Sequence, residues 1–281
     1  MLQDSDRSID IIGITVVYSK NCRYNPGKAE LQIDRYDLFI LESRETAIRG
    51  VAIYIRKELL AEDVKVITKT QESIWIKLNA KDKVIVGCVY KSPSSKQENL
   101  DEVKSLMRNV SQMDKEYSHI LIMGDFNYPK INWKQWTSSG DKDADAFLGC
   151  IRHSYLYQHV TEFTRTKENS EPSTLDLIFT NEEGMVDDTR ITSPLGHSDH
   201  CVIIFKFRCY FEQINTSTER WNFFKGNYDL MRNEMNIDWD NILVDENSNK
   251  LFDIFLDKFN LAKQKSIPKI NNKKVIKAKK T

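Results

Sequence analysis

The sequence predicts an α+β fold in which β-sheets pack on each other and helices lie outside. Two patterns predict it. Strand-like apolar runs recur from residue 9 to residue 207, while only two or three stretches carry helical periodicity. Strand and helix do not alternate strictly, so a simple doubly wound sheet fits poorly.

The first run is 9–15 (IDIIGIT), short and apolar enough for a buried strand. Runs 36–41 (YDLFIL) and 50–56 (GVAIYIR) follow. Residues 73–78 (SIWIKL) alternate apolar with polar, as a half-buried strand does. Residues 84–90 (VIVGCVY) form a nearly continuous apolar run that stops at Lys91-Ser92-Pro93. Leu100, Val103, Met107 and Val110 then recur at helical spacing, and 119–123 (HILIM) reads as another buried strand. Ala144, Phe147, Leu148, Ile151 and Tyr155 mark a second amphipathic helix. Two further strands are expected at 174–179 (TLDLIF) and 201–207 (CVIIFKF).

Composition changes near residue 210. Residues 1–210 form one expected domain, and 211–281 an appendage that loses the strand pattern. In the appendage Leu251, Phe252, Phe255, Phe259 and Ala262 give a helical stripe. The end, 269–280 (KINNKKVIKAKK), is strongly basic and reads first as a solvated tail.

The chain has 281 residues, 40% hydrophobic and 29% charged, with a formal net charge of zero. A bulk basic surface is excluded, so any nucleic-acid contact must be local. The cysteines are Cys22, Cys88, Cys150, Cys201 and Cys209. They form no CxxC pair and no zinc spacing, so reduced thiols without disulfide partners are expected, with Cys88 and Cys201 in the core. The polar N-terminus lacks the features of a signal peptide, and no apolar run reaches the length of a membrane span. The expectation is a monomer inside the cell, nuclear or cytoplasmic, with no membrane partner.

Four strand ends carry polar residues that a core does not demand. After HILIM comes Gly124-Asp125-Phe126-Asn127. A carboxylate and an amide on one side of a strand end can hold a hydrated metal and orient a water or a phosphate oxygen. An Asx turn explains the tetrapeptide alone equally well. Before CVIIFKF, Ser198-Asp199-His200 offers a carboxylate and an imidazole suited to proton transfer near neutral pH, or else a capped turn. Asp176 lies within an apolar strand, where a carboxylate is costly unless paired; the partner is a histidine, nearby backbone or Arg165. Tyr90 ends VIVGCVY, where its hydroxyl could meet a phosphate oxygen or simply pack.

The ordered set VYKSP, GDFN, TLDLIF and GHSDH resembles the endonuclease/exonuclease/phosphatase superfamily. More narrowly, RGVAIYIRKEL (49–59), VYKSPSS (89–95), ILIMGDFNYPKINW (120–133), TRTKENSEPSTLDLIFTN (164–181) and SPLGHSDHCVIIF (193–205) resemble the endonuclease domain of non-long-terminal-repeat retrotransposon polyproteins. The piece RWNFFKGNYDLMRNEM (220–235) resembles the linker that follows that domain before a reverse transcriptase. The resemblance implies a four-layer α/β/β/α sandwich of the deoxyribonuclease type. It implies hydrolysis of DNA phosphodiesters with Mg2+ or Mn2+. Carried over by motif, His200 is the general acid/base at the scissile phosphate and Asp176 orients it. Asp125 positions or deprotonates the attacking water, Asn127 stabilises the transition state, Tyr90 binds the phosphate, and Asp199 helps hold the metal or the water.

The sequence departs from the pattern at the metal side. Relatives carry a glutamate after the strand matching IIGIT, the main metal ligand; Val16 stands there, and valine has no oxygen for a hard cation. Glu30 belongs to AELQID, which matches a later segment. Only eight residues precede IDIIGIT, so the expectation is a sandwich without its first strand and helix, and without that strand's Asn; Asn21 and Asn25 do not fall at the matching place. These departures suggest a truncated, decayed copy. Two other functions stay open: a catalytically inactive nucleic-acid or protein-binding module, and a phosphatase acting on a small phosphorylated substrate.

Overall fold

The structure is a computed structural model that describes residues 9–18, 26–41, 50–66, 72–78, 82–94, 97–167, 170–209, 219–244 and 248–271. Cys22, Asn21, Asn25 and the basic residues after 271 lie outside the described residues. The chain divides into two compact units, Met1–Gln213 and Ile214–Thr281.

In the first unit the strands are β1 (Ile11–Ile14), β2 (Tyr36–Ile40), β3 (Ala52–Arg56), β4 (Ala61–Asp63), β5 (Ser73–Leu78) and β6 (Val84–Tyr90). Helix α1 (Gln97–Ser111) leads to β7 (His119–Asp125) and the short β8 (Ile131–Asn132) and β9 (Thr137–Ser138). Helix α2 (Lys142–His153) leads to β10 (Tyr157–Gln158), β11 (Asp176–Thr180), β12 (Val186–Thr192) and β13 (Val202–Phe207). A six-stranded sheet runs in the order β10-β11-β7-β6-β5-β4, beside a three-stranded sheet β1-β3-β2 and a two-stranded sheet β12-β13.

Alternation assigns the two faces of the large sheet. Ile85, Val89, Ile120, Ile122, Leu177 and Phe179 point to α1 and α2. Val84, Val86, Cys88, Tyr90, Leu121 and Ile178 point the other way, onto Ile53 and Ile55 of β3 and Ile203, Phe205 and Phe207 of β13. Covered on both faces, β6 is buried along its whole length, which explains its unbroken apolar run. The outer face of the three-stranded sheet, with Leu38, Ala52 and Tyr54, is covered by Leu31 and Ile33.

Helix α2 starts where Asp141 caps the amides of Asp143 and Ala144. It buries Ala144, Phe147, Leu148 and Ile151 as their spacing predicts. Tyr155 does not join them: it follows the helix with φ 51° and is 83% exposed. Cys201 is half-buried rather than in the core, because it precedes β13; Cys88, Cys150, Cys201 and Cys209 are all free thiols.

The second unit contains β14 (Glu219–Trp221), α3 (Tyr228–Met235), α4 (Trp239–Ile242), α5 (Ser248–Ser266) and β15 (Lys269–Asn271). Two strands therefore occur where none was expected. β14 and β15 pair, and Lys269 stands over the Trp221 ring instead of in a solvated tail. The expected stripe lies on α5, with Ala262 buried and Phe252 and Phe255 partly exposed. No described helix is long and apolar enough to cross a membrane.

Candidate active site

Three neighbouring strands end at one level. β6 and β7 are parallel with Tyr90 opposite Asp125, and β7 and β11 are antiparallel with Asp125 opposite Asp176. Directly paired residues share a face, so Tyr90, Asp125 and Asp176 form a row on the face between the sheets.

Gly124 makes this register possible. Its φ is 150°, and a Cβ there would stand 1.8 Å from the Val89 carbonyl oxygen. The β6 and β7 backbones approach too closely for any side chain at this point. Behind the strand ends, Phe126 is fully buried with its ring edge-on to Phe179 at 5.2 Å, and Tyr128 stacks on Phe147 at 4.3 Å. This aromatic bed fixes the loop that leaves β7.

The strand stops at Asp125, and Asn127 adopts a left-handed φ of 49°. Continued alternation therefore does not bring Asn127 to the site; an Asx-type turn does. The two Asp125 oxygens accept hydrogen bonds from the Asn127 backbone N–H (3.1 Å) and from Nδ2 (2.8 Å). Nδ2 also donates to the Lys91 carbonyl at 2.9 Å. Both amide protons are thus spent on protein acceptors, and Asn127 holds Asp125 in place. Donation to a phosphate requires this amide to swing away.

His200 reaches the row from the other sheet. It immediately precedes Cys201 and β13, and Ser198 Oγ accepts its backbone N–H. Its Nδ1 meets Asp176 Oδ2 at 2.8 Å. The half-buried Asp176 therefore has the histidine partner that its cost demanded. With Nδ1 committed, Nε2 is the ring nitrogen left for proton transfer. Asp125, Asp176 and His200 offer ligand atoms that all lie within 4.8 Å of one another.

Asp199 is held differently. Arg165 places Nε (2.9 Å) and Nη2 (2.8 Å) on its Oδ2. Arg165 is therefore the partner of Asp199 and not of Asp176. Tyr90 is buried on the shared face. Val16 follows β1 and is 38% exposed. Glu30 sits in a local turn, where it accepts the Gly27 N–H, beside Leu31 on the outer face of the small sheet. That is the face away from the Asp125 row.

Electrostatics single out the same group. Burial pushes the Asp125 carboxyl upward, and the charge of Asp176 adds to this, while His200 and the Asn127 donors oppose it. Burial works to lower the His200 imidazole, but the hydrogen bond and charge of Asp176, helped by Asp125 and Asp199, carry it above its ordinary 6.5. Asp199 is also desolvated, yet the Arg165 hydrogen bond and charge bring it below the usual carboxylate range. Two facing carboxylates share one imidazole, which leaves excess negative charge in a buried place. The oxygen-rich donor set and that excess both fit a hard divalent cation.

One buried cation at the site is not signalled by the sequence. Lys91 is 5% exposed. Its Nζ donates to the Asn127 carbonyl at 3.1 Å and stands 4.4 Å from the centre of the Tyr128 ring. Its backbone N–H donates to the Asp125 carbonyl at 2.8 Å. Burial lowers its pKa against the pull of Asp125, Asp143 and Asp141. A lysine between a strand and a Ser-Pro turn normally reads as exposed, and only the position next to Tyr90 hints otherwise.

Residues 84–204 match the family model described as Endonuclease-reverse transcriptase. Among curated proteins no sequence matches. Solved structures do. A 3′ phosphatase from Neisseria, bound to a product DNA hairpin, has a TM-score of 0.55 at 15% identity and covers 73% of this chain and 91% of its own. An AP endonuclease from Leishmania major has a TM-score of 0.53 at 12% identity, covering 71% and 79%. The APE2 catalytic domain from Xenopus laevis has a TM-score of 0.51 at 16% identity, covering 74% and 86%. At such identities the likeness speaks for the fold alone, an α+β sandwich of the deoxyribonuclease type. The family match and these folds bear out the resemblance to the endonuclease/exonuclease/phosphatase superfamily.

Proposed function

We propose that this chain is a divalent-metal-dependent phosphodiesterase acting on DNA, an endonuclease of retrotransposon type, with its base side assembled and its metal side reduced. The observation that carries the reading is the Asp176–His200 bond of 2.8 Å beside Asp125, at the ends of strands from two sheets. A packing role does not call for two carboxylates and an imidazole converging there.

His200 serves as the general acid/base at the scissile phosphate through Nε2, and Asp176 fixes its tautomer and orientation. Asp125, desolvated and raised toward neutrality, is suited to position a water and take its proton. Asn127 and Lys91 hold that carboxylate and its loop. In the transition state Asn127 turns its amide to the phosphate, and Tyr90 supplies a further donor. Asp125 and Asp176, with Asp199 at the margin, would hold Mg2+ or Mn2+. The ion supplies charge neutralisation at the phosphate oxygens. Such an activity on DNA would be exercised in the nucleus or the cytoplasm.

Nicking of supercoiled plasmid in Mg2+ or Mn2+ tests the reading. Nicking by the native chain, abolished in His200→Ala, is the expected result; nicking unchanged by that substitution defeats it. Val16 and the placement of Glu30 favour a second reading, a nucleic-acid-binding module on the same fold without turnover. Salt-dependent DNA binding with no nicking would select it.

A further inference from the structure

The residues of the proposed reaction belong to two sheets that share no strand. Asp176 opens β11 in the six-stranded sheet, and His200 precedes β13 in the two-stranded one. Their 2.8 Å bond needs something to hold the sheets in register at this end.

The segment Thr164–Thr166 does so. On one side Thr164 and Arg165 both donate their backbone N–H to the Ser173 carbonyl, each at 3.0 Å, and Ser173 returns a bond to the Arg165 carbonyl at 3.1 Å. Thr164 Oγ1 accepts the backbone N–H groups of Leu175 and Asp176, each at 3.0 Å. On the other side Cys201 donates to the Thr164 carbonyl at 2.7 Å, and Thr166 donates to the Asp199 carbonyl at 3.1 Å. Arg165 bridges to both Ser173 and His200, and its guanidinium grips Asp199. Thr164 and Leu175 are both buried, so the Leu175 amide depends on the Thr164 hydroxyl for its partner.

We propose that Thr164 and Arg165 are positioning residues, a splint that ties the backbone of Asp176 to that of Asp199, His200 and Cys201 and so sets the Asp176–His200 pair. Neither touches substrate in this role. Thr164 acts through Asp176, by satisfying the amide of the residue whose carboxylate orients the imidazole. Arg165 acts through Asp199, by holding the turn that delivers His200. The role rests on the nuclease reading for its consequence in catalysis but not for its consequence in structure.

The full chain is therefore tested with two readouts. Thr164→Val keeps the shape and removes the acceptor; Thr164→Ser keeps the acceptor. Displacing a catalytic pair by about 1 Å costs on the order of 100-fold. In plasmid nicking with Mn2+, Thr164→Val should thus lower kcat by roughly 10- to 100-fold with KM little changed, while Thr164→Ser stays near native. The second readout is the hydrogen-bonded Nδ1 proton of His200, a downfield proton resonance identified by its loss in His200→Gln. It should persist in the native chain and Thr164→Ser and vanish in Thr164→Val. If the native chain does not nick DNA, the nuclease reading fails and this resonance still decides the splint. If Thr164→Val does not fold, Arg165→Met takes its place, with loss of the resonance and of kcat expected. A native resonance and native kcat in whichever of these variants folds overturns the proposal.

Discussion

Gly124→Ala should damage this protein far beyond what one methyl group normally does. The new Cβ would fall 1.8 Å from the Val89 carbonyl oxygen and within 2.9 Å of the Val89 nitrogen, both backbone atoms of a fully buried strand. Neither can move without opening the parallel β6–β7 pair. The φ of 150° adds strain, of order 1–3 kcal/mol for a side-chain-bearing residue. Overpacking adds about 1–3 kcal/mol more. The expected loss is thus about 3 kcal/mol or more, a large share of a stability of roughly 5–15 kcal/mol. For a unit of this size each kcal/mol lowers Tm by about 2–4 °C, so a fall of roughly 6–12 °C should appear in thermal or chemical unfolding. Gly149→Ala is the control. Nothing lies within 4 Å of its Cβ, and it sits inside α2. There the same substitution should stabilise by up to about 1 kcal/mol through helix propensity. If Gly124→Ala unfolds with the native midpoint, the close approach is wrong, and with it the register that sets Tyr90 beside Asp125.

Three further outcomes follow from the site. In Asp176→Asn the charge that raises both His200 and Asp125 is lost, so both pKa values fall; with Asp125 taking the water's proton, the acid limb of the pH–rate profile should move to lower pH while the plateau drops on the order of 10²–10⁴-fold. A limb that stays in place excludes Asp125 as the titrating base. Asp125 is raised from 3.8 to about 7, so its contribution to stability is present below its unfolded value and is lost as pH climbs through the folded one. The native chain should therefore lose stability between pH 4 and 7 relative to Asp125→Asn, and parallel pH–Tm curves would refute that. Lys91→Met keeps the stem against Tyr128 but frees the Asn127 carbonyl, which should cost about 1–3 kcal/mol and lower nicking; native values of both would make Lys91 a bystander.

What the sequence discloses here depends on how far apart the interacting residues are. β6, β7 and β11 are legible because burial on both faces leaves an apolar run, and an Asp within such a run must find a partner; that reasoning reaches Asp176 and a histidine. Which histidine, and that Arg165 goes to Asp199 instead, is a matter of long-range pairing that no local pattern encodes. β12 (VDDTRIT) escapes because it is exposed on most of its length, so alternation is faint. β14 and β15 escape for another reason. They pair across 48 residues, and β15 lies at the head of a lysine-rich stretch that reads as tail. Lys91 escapes because its type predicts exposure, and only the aromatic ring and the carbonyl around it explain its burial.

Val16 is where the reading of activity turns. β1 lies across the inter-sheet face: a Cβ on Gly13 would stand 2.7 Å from Met123 Sδ and 3.3 Å from Cys88 Sγ. Those residues are the last inward-facing positions before Asp125 on β7 and Tyr90 on β6. Val16 leaves β1 half in solvent, so a polar residue there should change stability by no more than about 0.5 kcal/mol. Any change in activity then reflects chemistry and not folding. Val16→Glu adds a hard oxygen donor and a charge; Val16→Gln adds the same reach with neither charge nor strong ligation. If the metal side limits turnover, the glutamate variant should nick plasmid faster and reach half-maximal rate at a lower Mg2+ concentration, and the glutamine variant should match the native chain. Equal gains in both would assign the effect to polarity alone. No gain from the glutamate would mean that oxygen at residue 16 is not what the site lacks, and that Asp125, Asp176 and Asp199 already set the limit of its metal affinity.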